Sequence, residues 1–434
     1  MTVLKRDYSA LAPLLLAGIN SHEVEEFKKR NRDVQMTVDA TLQTRLNTSL
    51  QNLDSLKNSR ISVVVMDASN GDVLASAAYP LPALDEPEKM LLTASEQSRL
   101  PFWITTSDIG FTHATQPGST AKIITALAAF NKLGLAAAKK NIVVRPGDLI
   151  RTRGYEPDEA GVINIERGIV RSNNPFFIRL ANEAQLEEQM ALLYMQTGMF
   201  LRGVGGYYFE GNLSNTVQQD KWMDFWRETE FKSRKSYNPN NIVRTRGRGI
   251  SGMAWGQGEL IASPAAMSRA VSAVANGGVM MPNRYIFRVS DSMLPTKKGV
   301  QIIKDPKAAA LMTDYMKKQS APKVAKLGIA VAGKTGTPER IARNRRMNDG
   351  WYVFFAPKTN GSGHIVTCIR IENTKGSSVA VNLAGVNVIP ILRQMGYIKG
   401  FDGVPVQDNG TGMVHVVNIP ADSAATPQQD TVNQ

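Results

Sequence analysis

Cysteine is almost absent from this chain: Cys368 is the one thiol among 434 residues, so no disulfide can form within it. That cysteine lies in the apolar run Ile365-Val366-Thr367-Cys368-Ile369, where a buried strand residue is the expected role. Histidine is nearly as scarce. His22, His113, His364 and His415 are scattered without metal-ligand spacing, so neither a metal nor a cofactor is expected. A membrane-length apolar run is missing too, since Leu14-Leu15-Leu16-Ala17 is far too short and no basic region with an apolar signal core opens the chain. Acidic residues are outnumbered, 38 Asp and Glu against 51 Lys and Arg, for a net charge of +13. Such an excess suits an anionic partner: nucleic acid, a phospholipid surface or a carboxylate-bearing polymer. The basic residues nevertheless fall in short separate groups, Lys28-Lys29-Arg30, Arg244 with Arg246 and Arg248, and Arg340 with Arg343, Arg345 and Arg346. No nucleic-acid motif accompanies them, so nucleic acid is not expected as a partner.

What is present is enough apolar material for a real core, 43% of the residues, and a clear order of elements. Residues 1–36 are mixed and charged, and read as a connector or the remnant of a preceding domain. Thr37 or Asp39 is placed to cap a helix through Leu42, Leu46, Leu50 and Leu53. Ile61 to Asp67 and Val73 to Tyr79 are β-prone runs around Asn70-Gly71, the signature of a hairpin. Pro80 to Thr115 is loop-rich; one helix then runs from Ser119 to near Gly134 and another from Phe176 through Ala181. The cluster Trp222, Phe225 and Trp226 suits packing. Ser263 as cap, Pro264 in the first turn and Asn276-Gly277-Gly278 as stop mark a further helix. Strand-like runs at Gly328 to Thr337, Gly350 to Pro357 and Gly363 to Glu372 precede a last helix from near Ser378 past Leu392. Two early strands and three late ones predict an α+β fold: a five-stranded antiparallel sheet flanked by N- and C-terminal helices, with a large mainly helical subdomain inserted. That domain is expected over residues 37–400, followed by a tail, 401–434, that is disordered beyond Pro420.

Two stretches carry chemistry. In Gln116-Pro117-Gly118-Ser119-Thr120-Ala121-Lys122 a tight turn delivers Ser119 to a helix start, beside free backbone N–H groups and the positive end of the helix dipole. Lys122 projects one turn later and can reach the Ser119 oxygen, as a base reaches a nucleophile. Alone the pattern is weak, for Ser320-Ala321-Pro322-Lys323 also fits S-x-x-K, with a proline that opposes the helix needed to align it. The second stretch, Gly333-Lys334-Thr335-Gly336-Thr337, joins a cation, hydroxyls and a glycine on a strand, a seat for an extended peptide ending in a carboxylate.

With Ser172-x-Asn174 between them, the order S-x-x-K, S-x-N, K-T-G resembles that of penicillin-binding proteins and serine β-lactamases. Met36 to Gln43, Trp255-Gly256-Gln257-Gly258 and Asp349-Gly350-Trp351-Tyr352 are similar to the transpeptidase branch, and the resemblance runs from about Val34 to about Lys399. Ser236-Tyr237-Asn238 also fits S-x-N, but runs into a loop where Ser172 runs into an apolar helix. The resemblance implies a monofunctional, class B-like serine D,D-transpeptidase that cross-links stem peptides of peptidoglycan or of a lipid-linked precursor and is acylated by β-lactam antibiotics. It casts Ser119 as nucleophile, Lys122 as base, and Ser172 and Lys334 as the proton relay to the leaving amine. Asn174 would hold the substrate amide, Lys334, Thr335 and Thr337 the terminal carboxylate, with Gly336 between them. The N–H groups of Ser119 and Thr337 would form the oxyanion hole. A D,D-carboxypeptidase or a β-lactamase would share the first half of this chemistry, although no Glu-x-x-Leu-Asn and no S-x-V occurs at the corresponding places; a β-lactam sensor domain would keep the same residues. The implied site of action is the periplasmic face of the bacterial inner membrane, beside a membrane-embedded glycan polymerase or another cell-wall synthesis partner. Relatives carry a glycosyltransferase domain, or an anchor and pedestal, ahead of this domain, so a truncated chain or a separately encoded anchor is expected.

Overall fold

The computed structural model describes residues 34–53, 56, 59–81, 109–111, 113–150, 158–201, 237–247, 249–289, 292–342, 345–402, 405–407 and 414–416. The expected connector before Val34, most of the Pro80 to Thr115 loop, the Trp222 cluster and the tail beyond Val416 lie outside these residues.

Ile61–Asp67 (β1) is buried at every position, as a continuous Ile/Val run should be when both faces of its sheet are covered. Val73–Tyr79 (β2) alternates, with every other side chain in the core, and returns antiparallel from the Asn70-Gly71 turn. Ala332–Gly336 (β3), Glu339–Ala342 (β4), Arg345–Pro357 (β5) and His364–Thr374 (β6) complete the sheet. The order is β3-β5-β6-β1-β2, antiparallel throughout, the five strands that the sequence predicts. The short strand β4 is additional. It pairs with the outer part of β5, so β5 begins at Arg345 and not near Gly350. Arg345 to Asn348 form this ribbon without apolar alternation, which left no hydrophobic period to read.

Helices cover both faces. On one, Ala40–Gln51 (α1) buries Leu42, Leu46 and Leu50 beneath the C-terminal helical run. Of its two candidate caps, Asp39 does the work: Leu42 N donates to Asp39 Oδ1 at 3.0 Å, whereas the Thr37 hydroxyl donates to the Val73 and Arg284 carbonyls. The C-terminal run passes from Ser377–Leu383 through a π turn, Ala384–Val388, into Ile389–Gln394. Pro390 has no N–H to give the carbonyl four residues back, and the ladder widens just before it.

The inserted subdomain, between β2 and β3, packs on the other face. Its central helix, Lys122–Leu133 (α2), is buried from Lys122 to Phe130 and stops at Gly134. The run Gly118–Lys139 is apolar and long enough to cross a membrane by composition, but it forms the core of the protein. Ile165–Val170 (α3) and Asn174–Glu183 (α4) follow, each with an asparagine cap, Asn164 and Asn173. Pro264–Ala275 (α5) starts at Ser263 and ends at Asn276 as its caps predict. Pro306–Ser320 (α6) then leads to β3 through a short turn, Ala321–Lys323. Val34–Met36 pairs antiparallel with Ile286–Val289, tying the start of the described chain to the insertion.

Candidate active site

Three segments far apart in sequence meet along β3. The first is the Ser119 turn, a single 3-10 turn, Gly118–Ala121, that enters α2 with Thr120 Oγ1 donating to the Pro117 carbonyl at 2.8 Å. Gly118, Thr120 and Ala121 are buried while Ser119 is partly exposed, so the hydroxyl stands at the surface of a rigid floor. Glycine grips that floor from both sides. A Cβ on Gly256 would lie 1.8 Å from the Gly118 oxygen, and one on Gly336 would lie 2.6 Å from the Pro117 oxygen. Gly118 N donates to the Gly256 carbonyl at 2.9 Å, and Gln116 Nε2 to the Gly258 carbonyl at 2.7 Å.

The second segment is the α3–α4 turn. Ser172 has a φ of 56°, a left-handed conformation that a non-glycine residue takes up at a cost, and the turn is held by Ser172 N to the Ile169 carbonyl (3.2 Å) and Asn173 N to the Gly168 carbonyl (3.0 Å). This aims the Ser172 hydroxyl and the Asn174 amide at the end of Lys122. Lys122 Nζ donates to Asn174 Oδ1 at 2.6 Å, to Ser172 Oγ at 3.2 Å and to the Ser172 carbonyl. From the third segment, β3, Lys334 Nζ donates to the same Ser172 Oγ at 2.8 Å and to the Thr335 carbonyl at 3.0 Å. One serine oxygen therefore joins two wholly buried lysines.

Burial sets the protonation of both. It pulls Lys122 down to about 7, with the charge of Asp158 opposing only in part. Lys334 lies well below the ordinary lysine value, from burial first and then from the positive charges of Lys122 and Lys323. A lysine near neutrality can take a proton, and the hydroxyl between the two amines can pass one on.

The expected residues fall into place unequally. Lys122, Ser172, Asn174, Lys334 and Thr335 form one hydrogen-bonded group, and Gly336 lies against the Ser119 turn. Thr337 accepts a bond from Ser377 N at 3.0 Å, which leaves its hydroxyl proton available to a ligand. Ser119 is beside Lys122 through the backbone, its carbonyl accepting the Lys122 N–H, but among the described residues no hydrogen bond joins their side chains. Such bonds are often long in sites without substrate. Asn174 is engaged internally: Oδ1 accepts from Lys122, and Nδ2 donates to Asp158 Oδ2 at 3.3 Å. Of the other S-x-N stretch, Ser236 lies outside the described residues, and Asn238 Oδ1 accepts from Asn240 N at 2.9 Å.

Sequence reasoning missed Asp158, Gln319 and the placement of Lys323. Asp158 also accepts from Asn174 N at 2.9 Å and Ile150 N at 3.3 Å, a role that no local pattern around it announces. Lys323 was visible only as the second S-x-x-K. Its segment is helical despite Pro322, because the proline fits the 3-10 turn after α6, yet Ser320 Oγ meets Tyr352 Oη at 3.1 Å and does not pair with Lys323. Gln319 Oε1 accepts from Thr335 Oγ1 at 3.0 Å.

Comparison with known proteins agrees with this architecture. A family model described as the penicillin binding protein transpeptidase domain matches residues 61–385. Among solved structures, the chain is similar to PBPA from Mycobacterium tuberculosis (TM-score 0.60, 18% identity, covering 86% of this chain and 85% of that one). It is also similar to a peptidoglycan glycosyltransferase from Burkholderia ambifaria (0.55, 20% identity, 85% and 100% covered). The TP domain of penicillin-binding protein 3 from Burkholderia pseudomallei is a third (0.54, 19% identity, 83% and 96% covered). At these identities the likeness to solved structures is one of fold.

Proposed function

The chain belongs to the family of penicillin-binding protein transpeptidase domains, and from that premise we propose that it is a D,D-transpeptidase working through a Ser119 acyl-enzyme. The observation that carries this reading is the Lys122–Ser172–Lys334 chain, two buried lysines bridged by one hydroxyl beside the Ser119 turn.

Ser119 Oγ attacks the carbonyl carbon between the two terminal D-alanines of a stem peptide, and its proton passes to neutral Lys122. The N–H groups of Ser119 and Thr337 receive the oxyanion. As the tetrahedral intermediate collapses, the C–N bond breaks, and the departing D-alanine amine takes a proton through Ser172, which Lys122 or Lys334 replenishes. The acyl group now sits on Ser119. An amine of a neighbouring stem attacks it, yields its proton to the same chain and frees Ser119, leaving a cross-link. Lys334, Thr335, Gly336 and Thr337 present the strand edge on which the donor peptide lies, with the terminal carboxylate at the two hydroxyls. Asn174 keeps the Lys122 amine directed at Ser172. A β-lactam would acylate Ser119 in place of the stem peptide. The protein would act at the extracytoplasmic face of the inner membrane, on stem peptides of peptidoglycan or of its lipid-linked precursor, beside a membrane-embedded glycan polymerase or another cell-wall synthesis partner.

Mass spectrometry after incubation with a penicillin tests the reading. A stable adduct on Ser119 is expected, together with faster release when an amino-acid amine acceptor is added. Release by water at the same rate with or without the acceptor would assign a carboxypeptidase, rapid turnover a β-lactamase, and a permanent adduct indifferent to any acceptor a sensor. The absence of an adduct on folded protein would overturn the catalytic reading altogether.

A further inference from the structure

We propose that Lys323, acting through Gln319, supplies the positive charge that seats the substrate's terminal carboxylate on Thr335. This rests on the reading of β3 as the donor-peptide strand and adds to it a residue outside the three sequence motifs.

The lysines around the end of α6 are not alike. Lys317 Nζ lies 3.2 Å from Asp314 Oδ1, and Lys318 Nζ lies 2.5 Å from Glu166 Oε1. Lys323, half-buried against β3, has no acidic partner among the described residues; its ammonium donates to the Gln319 carbonyl. Burial pulls it down to about 8, and its charge is felt at Lys334. A cation kept partly out of water without a counter-ion attracts an anion, and the anion at hand is the ligand of the adjacent strand.

Gln319 connects the two. The amide of this buried side chain is satisfied with Nε2 donating to the Gly333 carbonyl at 3.0 Å and Oε1 accepting from Thr335 Oγ1 at 3.0 Å and from Lys323 Nζ at 3.3 Å. An arriving carboxylate takes over the Thr335 proton, and Lys323 then remains as the donor that keeps the Gln319 oxygen satisfied. Capping the last carbonyls of α6 is the ordinary use of a lysine at this place, and it would depend neither on Thr335 nor on the charge of a ligand.

The experiment separates the two roles. The encounter constant and the limiting acylation rate are measured for the wild type, Lys323→Met, Lys323→Arg and Gln319→Met, with one β-lactam as its free carboxylate and as its methyl ester. Lys323→Met should weaken the encounter constant for the carboxylate about tenfold, with the limiting rate within about twofold and little change for the ester. Arginine should restore most of the loss, and Gln319→Met should show the same preference for a weakened carboxylate. Equal losses for carboxylate and ester, or none, in either the Lys323→Met or the Gln319→Met protein would overturn the proposal. Should one variant fail to fold, the other decides. A wild type that takes up neither compound would instead sink the assignment of Ser119, and this seat with it.

Discussion

Helix α4 serves two buried cations, and it treats them in opposite ways. At its middle, Arg179 Nε and Nη2 donate to the two oxygens of Asp148 at 2.8 and 2.9 Å, and Nη1 donates to Glu183 Oε1 at 3.1 Å. Burial works against the charge of Arg179, but those bonds outweigh it and raise the guanidinium above its ordinary value. At the first residue of the same helix, Asn174 offers Lys122 a neutral amide oxygen at 2.6 Å, and the nearby carboxylate, Asp158, bonds to Asn174 and not to the lysine. Lys122 falls to about 7. The fold thus compensates the charge of Arg179, a fixed brace, and withholds compensation from Lys122, the lysine proposed to move a proton.

Removing each cation should break the protein in opposite ways. Lys122→Met is expected to slow acylation by a penicillin about a thousandfold, the scale of losing a general base. Its thermal midpoint should stay level or rise, since an uncompensated buried charge has gone. Arg179→Met strands Asp148 in the interior and should cost about 3–5 kcal/mol in urea denaturation, while the folded fraction still acylates. An Arg179 variant that lost acylation at full stability would erase the distinction.

The pH dependence sharpens the same contrast. The second-order acylation rate should fall about tenfold per unit below the Lys122 value of about 7. Stability should move as well. Lys122 titrates near 7 when folded and near 10.5 when unfolded, so between these values the unfolded chain holds the extra proton. Stability contributed by this group therefore rises with pH across that window, by up to roughly 1.4 kcal/mol per unit, and is lost as pH falls through the folded value. Denaturation at two pH values within the window should show a positive slope that Lys122→Met reduces and a conservative Arg179→Lys exchange leaves in place.

Smaller effects probe Asp158 and the surface. Asp158→Asn removes a charge that favours protonated Lys122 and one acceptor that fixes Asn174. The acid limb of the acylation profile should move to lower pH, and the plateau rate should fall about tenfold as Asn174 loosens. If the limb instead moved to higher pH, Asp158 would not act on Lys122 through its charge. Lys318→Ala breaks an exposed pair with Glu166 and should change stability by less than about 1 kcal/mol, with acylation unaffected.

Much of this was legible in the sequence because the signals were local. The caps at Ser263 and Asn276, the Asn70-Gly71 hairpin and the apolar stripe of α1 each determine their own structure within a few residues. The S-x-x-K turn, the S-x-N turn and the K-T-G strand named most of the site in the same way. Asp158 was illegible because its partners are Ile150 and Asn174, which no period or motif links to it. The strand β4 was missed because it and its partners set Ile341, Ala342 and Met347 among charged and polar residues without alternation, and such a ribbon has no hydrophobic period.

The sequence by itself determined which groups the proposed chemistry draws on: Ser119 at a helix start, Lys122 one turn on, Ser172 beside Asn174, and Lys334 in a strand. Only the tertiary structure decided what state those groups are in. Lys122 and Lys334 share one serine oxygen because the sheet and the insertion pack together, and their basicity falls because that packing excludes water while Asp158 is kept on the far side of Asn174. Protonation depends on burial and on charges brought together from distant parts of the chain, and neither is a property of any short stretch of it.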